Sequence, residues 1–393
     1  MSAIKARRDR LAMLVAVLSF AQAAVGRACP FCGVVGESLA QRRDRAAWVA
    51  VGEAAAPAAE DGEGSLAQRF EILQPIAPAA GAGEPPRQGD VVTARVATPV
   101  AGTAVLFAGR RRPADGPAAL DCEAIAADES VIAHVATAPA TAAPAAERLA
   151  WFARRLEHPT AAIAADAFTE FGQAAYPAVL AAAGSLDADR LRLWLTEPGV
   201  DPARRGFYGL ALGIVAAADP AGGQAAVETL RAAIATPVDD FRAGFDGILA
   251  GLLVAEGELG LDWLESRGLT GPTARPLDQK HLLAAVRFAA ENLADSIPRR
   301  RIVAVTRALL AAPVVAADAA VDLARYEAWD AVVDVADLWD SLGGDDPVVR
   351  RAVAGYLAAC PAAEAKARLE AIRVREPERL AAALAAALLP PGR

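Results

Sequence analysis

The 393-residue chain is poor in the side chains that most often carry chemistry: three histidines, four cysteines, two methionines and 5% aromatics. His134, His158 and His281 stand apart, with no second His, Cys or acid at ligand spacing, so no metal site is expected. A Gly-rich phosphate loop, GxSxG and HExxH are all missing, which removes the signatures of P-loop enzymes, α/β-hydrolases and zinc proteases. No cofactor and no catalytic residue follow from these motifs. Positive charge is also in deficit, with 40 Lys and Arg against 48 Asp and Glu, a net charge of −8. Without a basic stripe interleaved with aromatics, a nucleic-acid partner is excluded. Alanine inflates the 54% hydrophobic share, and much of that share is helix propensity rather than bulky core.

Long apolar runs are absent beyond the N-terminus, where Arg, Asp or Glu breaks every stretch at helical spacing and leaves one wet face. The N-terminus itself differs. Lys5, Arg7, Arg8 and Arg10 precede an apolar stretch from Leu11 to Val25, followed by small residues that allow cleavage after Ala23 or Ala28. That order is the secretory pattern, and the run is shorter than the roughly 18 to 20 residues a bilayer span needs. Residues 1–28 therefore read as a signal peptide, with the mature chain exported to the periplasm or beyond and no transmembrane span left after cleavage.

Two regions follow. From Cys29 to about 136 short alternating runs read as strands: Trp48–Gly52, Phe70–Leu73, Asp90–Val96 and Thr103–Phe107, separated by Ala, Pro and Gly-rich loops. This predicts a small β-barrel or sandwich. Residues 137–146, mostly Ala, Thr and Pro, read as a linker. From 147 to 393 the period is helical, with Asp187, Asp201 and Asp346 placed as N-caps and Pro or Gly at the stops. The expected class is α+β multidomain, a small β-domain followed by an all-α domain.

The helical region repeats itself. Asp201-Pro-Ala-Arg204-Arg205-Gly206-Phe207-Tyr208-Gly209 through Gly213 realigns with Asp239-Asp240-Phe241-Arg242-Ala243-Gly244-Phe245-Asp246-Gly247 through Gly251, an offset of 38 residues. Fainter copies lie at Asp166–Phe171 and Val349–Leu357. A period just under 40 filled by two short helices predicts a HEAT-like α-solenoid. Each glycine inside a helix costs about 1 kcal/mol against alanine, so Gly206, Gly209, Gly213, Gly244, Gly247 and Gly251 need a reason. Their spacing puts them on one face, where a neighbouring helix packs closely; the competing reading is the floor of a ligand groove. Arg204 and Arg242 are expected to pair with acids of adjacent repeats, and Arg204, Arg242 and Asp246 form a candidate surface row for a ligand.

Cys29-Pro-Phe-Cys32 is the one motif with obvious chemistry. No strand precedes it, as a thioredoxin-like site requires, and Gly33 replaces the His of a haem site. Two thiols fall short of the four ligands of structural zinc. A structural disulfide is the plainer reading, and bridging Cys29 or Cys32 to Cys122 would close the longer loop and stabilise more. Cys360 reads as a buried thiol.

The segments Cys29–Cys32, Arg148–Phe152, Leu156–Pro159, Asp166–Phe171, Leu191–Leu195, Gly206–Leu210 and Asp240–Gly244 together resemble a family of uncharacterised exported bacterial proteins. In that family a CPxC-type mature start leads into a β-domain and HEAT-like helices. The resemblance implies architecture and export, and no activity. The N-terminal layout also resembles netrin-type OB domains, with Gly102-Thr-Ala-Val-Leu106-Phe107 as the matching element. The function these readings imply is a non-catalytic interaction or scaffold protein whose partner is another protein or an envelope component. The alternative is a thiol-disulfide or soft-metal-binding protein acting through Cys29 and Cys32.

Overall fold

The computed structural model describes Phe31 and residues 36–60, 66–77, 85–111, 119–219, 222–237 and 241–388. The described residues divide into two compact units, one of residues 36–186 and one of Phe31 with residues 187–388. The boundary thus falls at Leu186, not in the expected linker at 137–146.

The first unit is built on six strands: β1 (Trp48–Ala54), β2 (Ala59–Glu60), β3 (Leu66–Ala77), β4 (Val91–Val96), β5 (Thr103–Arg111) and β6 (Ala119–Ala126). β1 pairs antiparallel with β3 and β5, β3 with β4, and β5 with β6. A short parallel pairing of β4 with β6 closes the ring. With the two-residue β2 set aside, the ring runs β1-β3-β4-β6-β5-β1, which counted over these five strands is the 1-2-3-5-4-1 order of a five-stranded OB barrel.

Closure depends on small inward residues. Trp48, Phe70, Ile72 and Leu106 share the interior with Ala50, Ala94, Ala104, Ala108 and Ala124. At Gly52 a Cβ would stand 2.9 Å from Leu106 Cδ1 and 3.2 Å from the Glu71 carbonyl, so β1 can pass between its two partners only without a side chain. Two register shifts bend β1 against β3 at the same place. Buried Gln68 ties the barrel's lower loop, accepting from Val100 N at 2.9 Å and donating to the Val100 and Ala56 carbonyls.

Outside, Val49, Val105 and Phe107 are covered by α1 (Leu39–Arg45), α2 (Glu129–Thr137) and α4 (Ala161–Gln173) through Ala46, Val131, Val135 and Ile163. α3 (Ala145–Ala153) and α5 (Tyr176–Ala181) complete this unit. The supposed linker is pinned rather than loose. Arg43 donates to the carbonyls of Val135 and Ala138 at 2.9 and 2.5 Å, and Asp44 accepts from Thr141 N and Oγ1 at 2.6 and 2.9 Å.

The second unit is a succession of helices: α6 (Ala188–Thr196), α7 (Arg205–Ala218), α8 (Gln224–Ala235), α9 (Phe245–Glu256), α10 (Glu258–Ser266) and α11 (Pro276–Asn292). Then come α12 (Arg299–Ala308), α13 (Ala316–Arg325), α14 (Val332–Ser341), α15 (Pro347–Ala359), α16 (Ala363–Arg375) and α17 (Pro377–Ala387). Asp187, Asp201 and Asp346 each accept from backbone amides at helix starts. α7 packs on α9 and α9 on α11; α13 packs on α15 and α15 on α17. The even-numbered helices between them pack on these rows, giving the two layers of an α-solenoid.

Candidate functional site

The six repeat glycines lie where α7 meets α9. A Cβ on Gly213 would stand 2.0 Å from the Gly251 carbonyl oxygen, one on Gly247 2.0 Å from that of Gly206, and one on Gly251 2.1 Å from that of Gly209. A Cβ on Gly209 would reach Ile248 Cα at 2.6 Å. The two backbones touch, so this face is filled by its neighbour and leaves no room for a ligand groove. The repeat is imperfect at one point. Gly206 is helical, whereas Gly244 precedes α9 at φ +72°, a conformation that favours glycine.

Arg242, half-buried in the segment after α8, reaches back to the end of that helix. Its guanidinium donates to the carbonyls of Ala233 and Ile234 at 2.8 and 3.0 Å and to Asp278 at 3.4 Å, and lies 3.4 Å above the Phe245 ring. Burial pulls this guanidinium below its usual range, against the opposing effect of Asp278. Arg242 thus closes a helix end and bridges to α11. Asp246 is half-buried, accepts from Gly247 N at 3.0 Å and stands 3.6 Å from His281 Nδ1. Arg204 ends a 3-10 turn at Pro202–Arg204 and is half-buried. Asp239 and Asp240, the first residues of the second repeat copy, lie outside the described residues.

Cys122 is a free thiol inside the barrel, so the expected long bridge to it is not formed. Apolar burial, with Asp121 and Glu123 nearby, pushes it up to about 12. Such a thiol is protonated and inert at neutral pH. Cys360 is likewise free and buried. Cys29 and Cys32 lie outside the described residues, but Phe31 between them is buried in the helical unit. Its ring meets Phe288 edge-on at 5.3 Å, and its carbonyl oxygen would sit 2.9 Å from a Cβ on Gly206.

Sequence reasoning missed two polar constellations. The first, in the barrel unit, is buried. Asp166 and Glu170 stand one turn apart on α4; Asp166 accepts from Leu39 N at 2.6 Å and pairs with His134 Nε2 at 2.7 Å. Glu170 receives Ser38 Oγ and Arg148. Ser38 also forms a capping box with Gln41. Ser38, His134, Asp166 and Glu170 are each at most 4% exposed, so the cluster seals the start of α1 and offers no route for substrate. The Asp166–Phe171 segment that echoes the helical repeat belongs here, outside the solenoid.

The second constellation is open to solvent. α12 carries Ile302, Val305 and Thr306 inward and its arginines outward. α13 ends in a turn in which Ala328 N bonds the Leu323 carbonyl at 2.9 Å and Glu327 N that of Ala324 at 3.0 Å. This is a Schellman ending with Glu327, at φ +53°, where glycine is usual. Tyr356 Oη fixes the turn by donating to Ala328 O at 2.6 Å.

Between α12 and this turn runs a groove of about 450 Å³, floored by Val303 and Ala304 and flanked by Arg299, Arg300, Arg307, Tyr326, Glu327 and Asp330. An apolar socket of about 90 Å³, lined mainly by Ala289, Ala290, Ala294, Ile297 and Ile302, lies on the other side of Arg299 and Tyr326. Arg299 donates to Tyr326 O at 2.8 Å, and Arg307 pairs with Asp330 and Asp334. Arg301 turns away to Asp262 and Glu265 at 2.5 and 2.6 Å. The groove lining holds no Ser, Cys or His, and burial pushes the Tyr326 hydroxyl above its usual range. Its residues can recognise charge and shape but hold no nucleophile–base pair.

No family model matches this sequence, and neither a curated protein nor a solved structure matches it. Among the described residues no group of three His, Cys, Asp or Glu could hold a metal ion, and no helix is long and apolar enough to cross a membrane.

Proposed function

We propose that the chain is an exported, non-catalytic binding protein of the cell envelope whose helical unit captures a polypeptide partner. The observation that carries this reading is the α12 groove, an open concavity with charged banks, an apolar floor and no reactive pair in its lining. Stacked helix pairs commonly present such extended surfaces. The barrel adds an uncovered outer face on β3 and β4, where Arg69, Glu71, Leu73, Val91 and Thr93 are exposed.

The competing thiol reading places function at Cys29 and Cys32. Burial of Phe31 in the helical unit favours a motif that anchors the chain over one that moves between redox partners. Cross-linking the mature protein in its native envelope fraction, followed by mass spectrometry, separates the two. The binding reading expects one dominant partner that is retained by the Cys29→Ser/Cys32→Ser variant and lost on Val303→Asp, with both variants folded. Loss of the partner in the cysteine variant alone, with a helical unit that still melts normally, would transfer the function to the thiols.

A further inference from the structure

Two departures from local rules meet at the α12 groove. The first is Arg300. Three consecutive arginines open α12, where the positive end of the helix dipole disfavours them. Arg301 is compensated by Glu258, Asp262 and Glu265, and Arg299 by the Tyr326 carbonyl. The exposed Arg300 side chain has no hydrogen bond or ion pair among the described residues. The second is Glu327, a non-glycine residue held at φ +53°, whose exposed carboxylate also has no partner among the described residues. The Glu327 backbone ends α13, but neither free charge has a partner in the fold and glycine would make the same turn without strain; local rules broken in this way are expected at functional sites.

The two free charges are opposite in sign and stand on opposite banks, one on α12 and one on the turn after α13. Asp330 does not add to the acidic bank, because Arg307 lies 3.4 Å from it. Between the banks the surface is apolar, formed by Val303 and Ala304. A uniformly acidic or basic ligand would meet one favourable and one repulsive bank. A ligand with one charge of each sign, separated by an aliphatic group, meets both banks and the floor.

We infer that the groove binds an extended peptide in which an acidic and a basic side chain flank an aliphatic one, the acid on Arg300, the base on Glu327 and the aliphatic chain over Val303. This rests on the binding reading above and names its partner class. A guanidinium–carboxylate contact sets the orientation, and the apolar floor supplies desolvation.

The test is fluorescence anisotropy on the mature full-length protein with two labelled peptides, one with a Glu-Ala-Leu-Ala-Lys core and one with Gln at both charged positions. The charged peptide is expected to bind at least tenfold more tightly than the Gln peptide. The preference should shrink in high salt and fall several-fold in Arg300→Gln, with the melting temperature unchanged. Equal binding of both peptides, or an unchanged preference in Arg300→Gln, overturns the inference. So does failure of both Glu-first and Lys-first versions of the charged peptide to bind. If the native partner is still captured in that case, the binding function stands and only the peptide assignment falls; if capture fails too, both fall.

Discussion

In the barrel unit the polar contacts that hold the structure join residues far apart in the chain. Ser38 reaches Glu170 across 132 residues, and Arg43 reaches the Ala138 carbonyl across 95. In the helical unit the corresponding ties are short-range: Arg231 meets Glu256 25 residues on, and Arg301 meets Asp262 39 residues back. The difference has an energetic consequence. Long-range ties order the whole barrel unit at once, because loop-closure entropy must be overcome before they form. Ties between adjacent repeats give stability as a sum of local terms, so damage stays near its source. Substitutions in the two units should therefore differ in reach as well as in size.

The largest effect is expected at Glu170. Glu170→Ala removes the partner of both Ser38 and Arg148, leaving a guanidinium that is only 17% exposed without its carboxylate. Loss of one member of a buried ion pair typically costs about 3–5 kcal/mol. Urea unfolding followed by the fluorescence of Trp48, inside the barrel, should show this loss across the whole unit. A loss below about 1 kcal/mol would mean that the α1 clasp is not what holds the barrel unit together.

The helical counterpart is Gly213→Leu. The added side chain meets the Gly251 backbone at 2.0 Å from its first atom, and overpacking of this kind costs about 1–3 kcal/mol or more. Hydrogen exchange should then speed up in α7 and α9 while barrel amides keep their protection. Faster exchange spread evenly over both units would erase the proposed contrast.

A smaller effect tests the segment at 138–141. Burial raises the Asp44 carboxyl, but hydrogen bonds from Thr141 N, Arg43 and Thr141 Oγ1 outweigh it, and the net value is lowered. A carboxylate with a depressed folded pKa stabilises fully above its unfolded value of about 3.9 and loses that contribution as pH falls through the lower folded value. Asp44→Asn should cost about 1 kcal/mol at pH 7. The gap to wild type should close below pH 4 in melting experiments. A gap that stays constant down to pH 2 would assign the cost to packing alone.

How much of this was legible in the sequence follows the same division. The solenoid announced itself through the 38-residue offset and its glycines, because its contacts are local and recur. The barrel strands β1, β3, β4 and β5 showed as alternating runs, but α2 was absorbed into the β region. Its buried Val131 and Val135 are spaced at i and i+4 behind an Asp128 cap, a helical signal that short length and neighbouring β6 obscured. The α1 clasp was unreadable as a site, since no local pattern links Ser38, His134 and Glu170. One clue was present. Asp166 and Glu170 sit on the apolar stripe of α4 beside Ile163, Ala167 and Phe171, where polar residues need buried partners. The groove charges gave no signal at all, because an arginine at a helix start and a glutamate after a helix end look like ordinary surface until the turn geometry is known.

That turn supplies the smallest and most selective test. Glu327→Gly removes the cost of holding a side chain at φ +53° but raises the entropy of the unfolded chain. At a left-handed position the first effect wins, and a net gain of about 0.5–1 kcal/mol is expected. The helical unit should therefore melt slightly higher, while the charged peptide loses one of its two anchoring banks and binds several-fold more weakly. Stability and binding would then move in opposite directions at one residue, as expected where a strained conformation is kept for function. Glu327→Gln keeps the strain and removes only the charge, so it should weaken binding without raising the melting temperature. If Glu327→Gly raises stability and leaves peptide affinity intact, the strained turn belongs to the fold alone and the acidic bank must be sought elsewhere.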